Sequence, residues 1–311
     1  MSKSIRDAYG ESLLKYGKEN ANVVVLDADV SSSTKSELFG KACPERFFNV
    51  GISEQNMMGM AAGLAASGKI AYVNTFAAFL CNLGAMAAKG LLSYGNMNVK
   101  MMGAYSGMSD AYDGPSHHAL EDLAQLRVLP NFVVMVPSDE YMVDWMVKTS
   151  MEHVGPMYIR LSRDNASAGY DADTAFTLGK GKVVSDGTDV TIIACGVMVS
   201  KAIEAADMLA KEGVSARVVD MFTIKPLDVE LVEKCIRETG ALVTAEEHSI
   251  IGGLGGAVCE AMAGLDIMAP IERVGMKDRH GETGDYQKLL SKYGMDANAI
   301  CEAARRAIKR K

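Results

Sequence analysis

Short apolar runs rich in β-branched residues recur along this chain, and most are followed by a stretch of helical character. In the first half the runs fall at Val23–Leu26, Phe47–Val50, Ile70–Asn74, Val99–Gly103, Phe132–Val136 and Met157–Leu161. Helical stretches at Glu54–Ser67, Cys81–Tyr94, Leu120–Val128 and Glu140–Glu152 lie between them. A strand that is apolar on both faces must be covered on both, and consecutive strands separated by helices pair in parallel. The pattern restarts later, with strands at Val190–Ala194, Ala216–Val219, Ala241–Ala245 and Ile271–Val274, and helices at Ser200–Glu212, Val229–Thr239 and Gly255–Ala263. The expected fold is therefore α/β, as two consecutive doubly wound, mostly parallel-sheet domains. A length of 311 residues suits two cores of ordinary size. The polar, aperiodic stretch DNASAGYDADTAFT separates the two alternations. We place the first domain at residues 1–168, a linker at 169–177 and the second domain at 178–311. There is no sequence repeat between the halves and no low-complexity tract.

Helix punctuation supports the pattern. Ser53 is a candidate cap for the helix beginning at Glu54, Gly68 follows its end, and Pro137-Ser138-Asp139 opens another helix. The first twenty residues read as a polar amphipathic helix without the apolar centre of a signal peptide. A formal charge of −7 and the lack of a basic run argue against nucleic acid and anionic membrane. No apolar run reaches the roughly 18 residues a membrane span needs. Six scattered cysteines with no C-x-x-C pair fit a reduced, cytoplasmic chain without zinc or disulfides. With 30 Gly and 21 Met against one Trp, the chain favours helices that closely approach other backbones, as at a subunit interface.

In open parallel sheets, ligands bind beyond the carboxyl ends of the strands. The polar residues expected there in the first domain are Asp27, Asp29 and Ser31–Ser33; Ser53, Glu54 and Gln55; Thr75, Phe76 and Phe79; the loop Tyr105–His118; Ser138 and Asp139; and Arg160, Ser162 and Arg163. Glu54 is either a first-turn acid favouring the helix dipole or a carboxyl group poised for proton transfer. Phe76 and Phe79 are either core or an aromatic surface for a flat ring. The DAYDGPSHHALEDL segment holds the chain's only adjacent histidines, which concentrates proton-transfer groups in a turn-rich loop. No further His or Cys stands at metal-ligand spacing, so no metal site is read. No G-x-S-x-G elbow is present. Gly252-Gly253-Leu254-Gly255-Gly256 lacks the Lys-Ser/Thr of a phosphate loop and has Val258 where the dinucleotide motif needs Gly or Ala. Close helix–strand packing is its favoured role. Glu246-Glu247-His248 reads as a polar cluster at a strand end.

The segments NVGISEQNMMGMAAGLAASG, YVNTFAAF, YDGPSHHALEDLAQLRVLPN, VVMVPSDE and IRLSRDN resemble the thiamine diphosphate pyrimidine-binding domain of transketolases. VVSDGTDVTIIACGVMVSKAIEAADML and VTAEEHSIIGGLGGAV resemble their C-terminal domain. The resemblance covers nearly the whole chain in the right order. The family's first domain, whose G-D-G…N motif holds Mg²⁺ and the diphosphate of thiamine diphosphate, has no counterpart here. The resemblance thus implies the C-terminal subunit of a split transketolase, working with an N-terminal partner subunit and self-associating across the pyrimidine and C-terminal domains. The implied reaction transfers a two-carbon ketol unit from a ketose to an aldose. Glu54 matches the glutamate that hydrogen-bonds the aminopyrimidine N1′ of thiamine diphosphate. Phe76 and Phe79 match aromatics packed on that ring, and Asp29 matches an acid near the cofactor at the subunit boundary. Asp113 and His117 match contacts to substrate hydroxyls, with His117 able to move protons. Arg6, Ser33 and Arg163 match the clamp for a sugar phosphate.

Two positions depart from the family pattern. A pyrimidine-packing Tyr falls at Asn82, and a phosphate-contacting His falls at Tyr105. The two arginines still rank phosphate first among substrate anions. The 1-deoxyxylulose-5-phosphate synthases share related segments, but Ser106 stands where they carry an Arg. The β subunits of 2-oxoacid dehydrogenases fit less well. A regulatory subunit that kept the fold would be expected to have lost Glu54 or His117.

Overall fold

The computed structural model describes residues 3–311; Met1 and Ser2, the start of the expected N-terminal helix, lie outside it. The strands are β1 Val23–Asp27, β2 Phe47–Asn49, β3 Ile70–Phe76, β4 Val99–Ala104, β5 Val133–Met135, β6 Met157–Arg160, β7 Lys182–Ser185, β8 Val190–Ala194, β9 Ala216–Asp220, β10 Thr223–Lys225, β11 Leu242–Ser249 and β12 Ile271–Met276. They form a seven-stranded sheet, ordered β10-β5-β6-β4-β3-β1-β2, and a five-stranded sheet, ordered β12-β11-β8-β9-β7. Pairing is parallel except where β10 meets β5 and β7 meets β9. The central strands are buried along their whole length, as in VVVLD, VKMMGA and VTIIA. Continuous apolar runs become central strands because helices cover both faces.

The helices are α1 Ile5–Gly17, α2 Ser31–Thr34, α3 Glu37–Ala42, α4 Glu54–Ala66, α5 Ala77–Ala87, α6 Asp122–Arg127, α7 Glu140–Glu152, α8 Met198–Ala210, α9 Val229–Thr239, α10 Leu254–Ala263, α11 Tyr286–Lys292 and α12 Ala297–Lys309. Short polar side chains start several of them. Ser4 accepts from Asp7 N, Asp139 from Tyr141 N, Asp228 from Leu231 N and Asp296 from Ala299 N, each satisfying an N–H with no partner inside the helix. Gly68, at φ +86°, follows α4 in the left-handed region where glycine carries no Cβ penalty.

Several expectations need correction. The Ser53 side chain does not cap α4; only its carbonyl joins the helix, accepting from Met57 N at 2.9 Å. Helix α5 begins at Ala77, four residues before the expected Cys81, and continues as a π-helical turn over Ala88–Ser93. The short strands β7 and β10 and the C-terminal helices α11 and α12 were not anticipated. Strand β10 comes from the second half of the chain yet edges the first sheet. The polar stretch between the halves is packed: Tyr170 and Phe176 form an aromatic cluster with Trp145 and Phe222.

A buried ion pair within the first half also reaches the second through one backbone carbonyl. Arg160, at the end of β6, donates to Asp122 Oδ2 at 2.7 Å, and to the carbonyls of Ala119 and Glu247 at 2.9 Å each. Tyr158 donates to the same Asp122 oxygen at 2.6 Å. Charges buried this deeply are tolerated because Arg160 answers Asp122 directly and finds two carbonyls besides, although Asp122 Oδ1 has no hydrogen-bond partner.

Candidate active site

Glu54 begins α4 directly after β2 and is only 4 % exposed. Thr75, near the end of β3, donates to its Oε1 at 3.3 Å. A carboxylate at a helix N-terminus faces the positive end of the helix dipole, which makes its burial tolerable. Directly after Thr75 come Phe76, which ends β3, and Phe79 in α5, both half-buried, with ring centroids 5.9 Å apart.

The loop after β4 extends the aromatic row. Tyr105 lies 4.7 Å from Phe76 between centroids, and the His117 ring lies 6.0 Å from Phe76 and 5.0 Å from Phe79. Tyr105 holds φ +56°, in the region disfavoured for residues with a Cβ. The loop is tied to the second half of the chain. The N–H of Met108 donates to Glu247 Oε1 at 2.7 Å, and a Cβ on Gly107, at φ +63°, would overlap that carboxylate. Burial pushes the Glu247 carboxyl up to about 7.

Two arginines converge on Tyr105. The guanidinium carbons of Arg6 and Arg163 lie 5.4 and 5.1 Å from its ring centroid, close enough for cation–π attraction. Arg6 Nη1 also donates to the Tyr105 hydroxyl and, at 3.5 Å, to the Ser33 carbonyl. Ser33 is thus joined to the cluster through its backbone rather than its hydroxyl. Arg163 Nη1 donates to Asp110 Oδ1 at 3.2 Å. Asp110, Asp113 and His117 place one polar atom each within 4.8 Å of one another. Burial, then the Asp113 charge, push the Asp110 carboxyl up to about 6.

The structure therefore brings Arg6, Ser33, Phe76, Phe79, Asp113, His117 and Arg163 to one mouth, with Glu54 below the same strand end. Asp29 stands apart. It is exposed, at φ +69°, and accepts from Asn49 Nδ2 at 2.8 Å at the ends of β1 and β2. Behind it, Asp27 accepts from Val30 N, Thr34 Oγ1 and Ser36 Oγ, which holds the loop leading to Ser33. Asn82 points to Glu121 and Gln125. Sequence reasoning missed Asp110 and the loop contact of Glu247. Asp110 sits among the loop residues, but nothing in its spacing signals that it meets Arg163.

Comparison with known proteins places this architecture. The family model described as transketolase, pyrimidine binding domain, matches residues 1–168, and transketolase, C-terminal domain, matches residues 179–300. A putative transketolase C-terminal section from Methanocaldococcus jannaschii is 42 % identical over 310 residues, covering 99 % of this chain and 97 % of the relative. A 6-deoxy-6-sulfo-D-fructose transketolase subunit from a Clostridium species is 38 % identical over 307 residues, covering 99 % and 95 %. A solved structure described as a split gene transketolase, inactive beta4 tetramer, superposes with a TM-score of 0.90 at 46 % identity, covering 100 % of both chains. With both of its halves matched in order and relatives of its own length alike from end to end, the chain belongs to the transketolase family.

Proposed function

We propose that this chain is the C-terminal subunit of a split, thiamine diphosphate-dependent transketolase. It moves a two-carbon ketol unit from a ketose with an anionic end to an aldose. The observation that carries this reading is the buried Glu54 carboxylate held by Thr75, the residue before the half-covered Phe76–Phe79 surface. An aminopyrimidine ring needs both a proton-sharing acid at its edge and an apolar face, and the residues present fit that group. When bound, thiamine diphosphate supplies the carbon–carbon bond chemistry. Glu54 would hold a proton at the pyrimidine N1′ atom, shielded from water by its burial. Phe76 and Phe79 would fix the plane of the ring. His117 and Asp113 would contact substrate hydroxyls, with His117 moving protons to and from them. Arg6, Ser33 and Arg163 would face the anionic end.

The diphosphate group and Mg²⁺ would be held by the N-terminal partner subunit. The surface of α4 and α5 suits such docking. Met60, Leu83 and Met86 are exposed there, as are Leu91 and Tyr94 in and after the π-helical turn that continues α5, and Cβ atoms added at Gly59, Gly63 and Gly90 would meet open space. Exposed apolar side chains mixed with bare backbone favour close approach of another chain. We place the partner contact on this face, with self-association completing a heterotetramer. No helix among the described residues is long and apolar enough to cross a membrane. The six free cysteines, five of them buried, fit a reduced cytoplasmic setting.

The test is to mix the chain with its N-terminal partner, thiamine diphosphate and Mg²⁺, and to measure ketol transfer. Activity is expected only from the mixture. Tight thiamine diphosphate binding by the isolated chain, read by calorimetry, would count against a divided site. Cofactor-dependent assembly without transfer would favour a regulatory subunit.

A further inference from the structure

Both arginines at the mouth already have partners. Arg6 is held by the Tyr105 hydroxyl and the Ser33 carbonyl, and Arg163 by Asp110. Asp110 differs from the other acids around it. It is 0 % exposed, and its second oxygen, Oδ2, has no hydrogen-bond partner. A carboxylate cannot stay ionised in such a place without an answering charge, and Arg163 provides it through Oδ1.

The charge count at the mouth follows. Arg6 and Arg163 bring two positive charges, and Asp110 and Asp113 bring two negative ones. Tyr105 offers a ring face and a hydroxyl but no charge. Nearby Glu247 is occupied by Met108 N, and Asp164 by Gln287. An arriving anion therefore meets no surplus of positive charge, and must compete with Asp110 for Arg163. A phosphate ester near neutral pH brings up to two negative charges into this setting. A sulfonate brings one, and a hydroxymethyl end brings none. The cost of like-charge approach to a buried carboxylate rises with each unit of charge.

We propose that Asp110 determines substrate specificity: by committing Arg163, it biases the mouth towards a ketose whose far end is singly charged or neutral and away from a doubly charged phosphate. This inference rests on the transketolase reading for the identity of the substrate. The anion preference is a property of the chain itself and can be measured without turnover.

The test compares the wild type with Asp110→Asn, using inorganic phosphate and methanesulfonate as probes in calorimetric titrations of the assembled complex at pH 7.5. Asparagine keeps the shape and removes the charge. We expect phosphate to bind about tenfold more tightly to the variant, while methanesulfonate gains at most about threefold. Adding Arg163→Ala to the variant should erase the phosphate gain. In turnover, the ratio of kcat/KM for phosphorylated over sulfonated ketose should rise by a similar factor, mostly through KM. Asp110→Ser provides the same comparison should the asparagine variant fold poorly. An unchanged phosphate-to-sulfonate preference in either folded variant, or an equal gain for both anions, overturns the role of Asp110. A shifted anion preference in Asp110→Asn, where the wild-type complex turns over no ketose, would keep that role and sink the transketolase reading instead.

Discussion

The two sheets share one architecture, yet their carboxyl edges behave oppositely. In the second half, β11 carries Glu246 in its carboxyl half, and that carboxylate accepts from the backbone N–H groups of Leu254 at 2.6 Å and Gly255 at 2.8 Å. The helix N-terminus and glycine run that resemble a phosphate cradle are thus filled by the chain's own carboxylate. A Cβ at Gly253 would overlap Glu246 Oε2, so the glycine serves close packing, as the sequence suggested. At the end of β9, Asp220 accepts from Ser138 and, at 3.1 Å, from Tyr170, closing that edge onto the first half. In the first half, Glu54 also heads a helix, but beside half-covered aromatic rings and a mouth crowded with arginines. A ligand edge, then, is distinguished by the polar and aromatic groups that the chain leaves accessible, and not by the sheet topology.

The largest expected effect breaks the open edge. Glu54→Gln keeps a hydrogen-bonding group and loses the shareable proton. Ketol transfer by the assembled enzyme should fall by roughly two to four orders of magnitude, with folding and partner assembly unchanged by size-exclusion chromatography. Near-normal transfer would remove Glu54 from the chemistry.

The closed edge should respond in stability and not in rate. Gly253→Ala forces a methyl group against the Glu246 carboxylate and its two backbone donors, so unfolding in urea should cost about 2–3 kcal/mol less. KM and kcat of whatever complex remains folded should hold. A variant of normal stability with altered kinetics would make the glycine run part of the ligand site and erase the contrast.

The smallest effect concerns pH. Burial raises the Asp220 carboxyl to about 7. An acid whose value is raised by folding binds its proton more tightly in the folded state. Its contribution to stability is therefore greatest at low pH, falls as pH rises from about 4 towards about 7, and is flat above. Asp220→Asn removes this dependence, and its advantage over the wild type at pH 8 relative to pH 5 should be at most about 2–3 kcal/mol by urea unfolding. Parallel pH profiles for the two proteins would show that the proton of Asp220 does not couple to folding.

Legibility differed by element and by residue. The central strands were readable because burial on both faces leaves their runs mostly apolar, with only isolated polar residues such as Lys100 and Thr191. The three-residue β10 carries no such signal, because its place is set by the β5 edge it joins. The helix α12 has an apolar stripe at helical spacing, but it follows the last apolar strand and so lies outside the strand–helix alternation. Glu54, Phe76, Asp113 and His117 could be marked as candidates because each lies in a contiguous motif near a strand end. Asn82 and Tyr105 could be marked as departures, but not what they touch.

The sequence by itself determined the alternation of strands and helices, most helix starts, and which chemical groups are available at the strand ends. Those properties arise from neighbours within a few residues, where periodicity and capping act. The tertiary structure alone decided how those groups are used. Tyr105 is gripped by Arg6 from 99 residues away, Arg163 is held by Asp110 across 53, and Met108 is fixed by Glu247 across 139. A hydrogen bond or ion pair acts over a few ångströms, and only the folded chain brings such distant residues within that range.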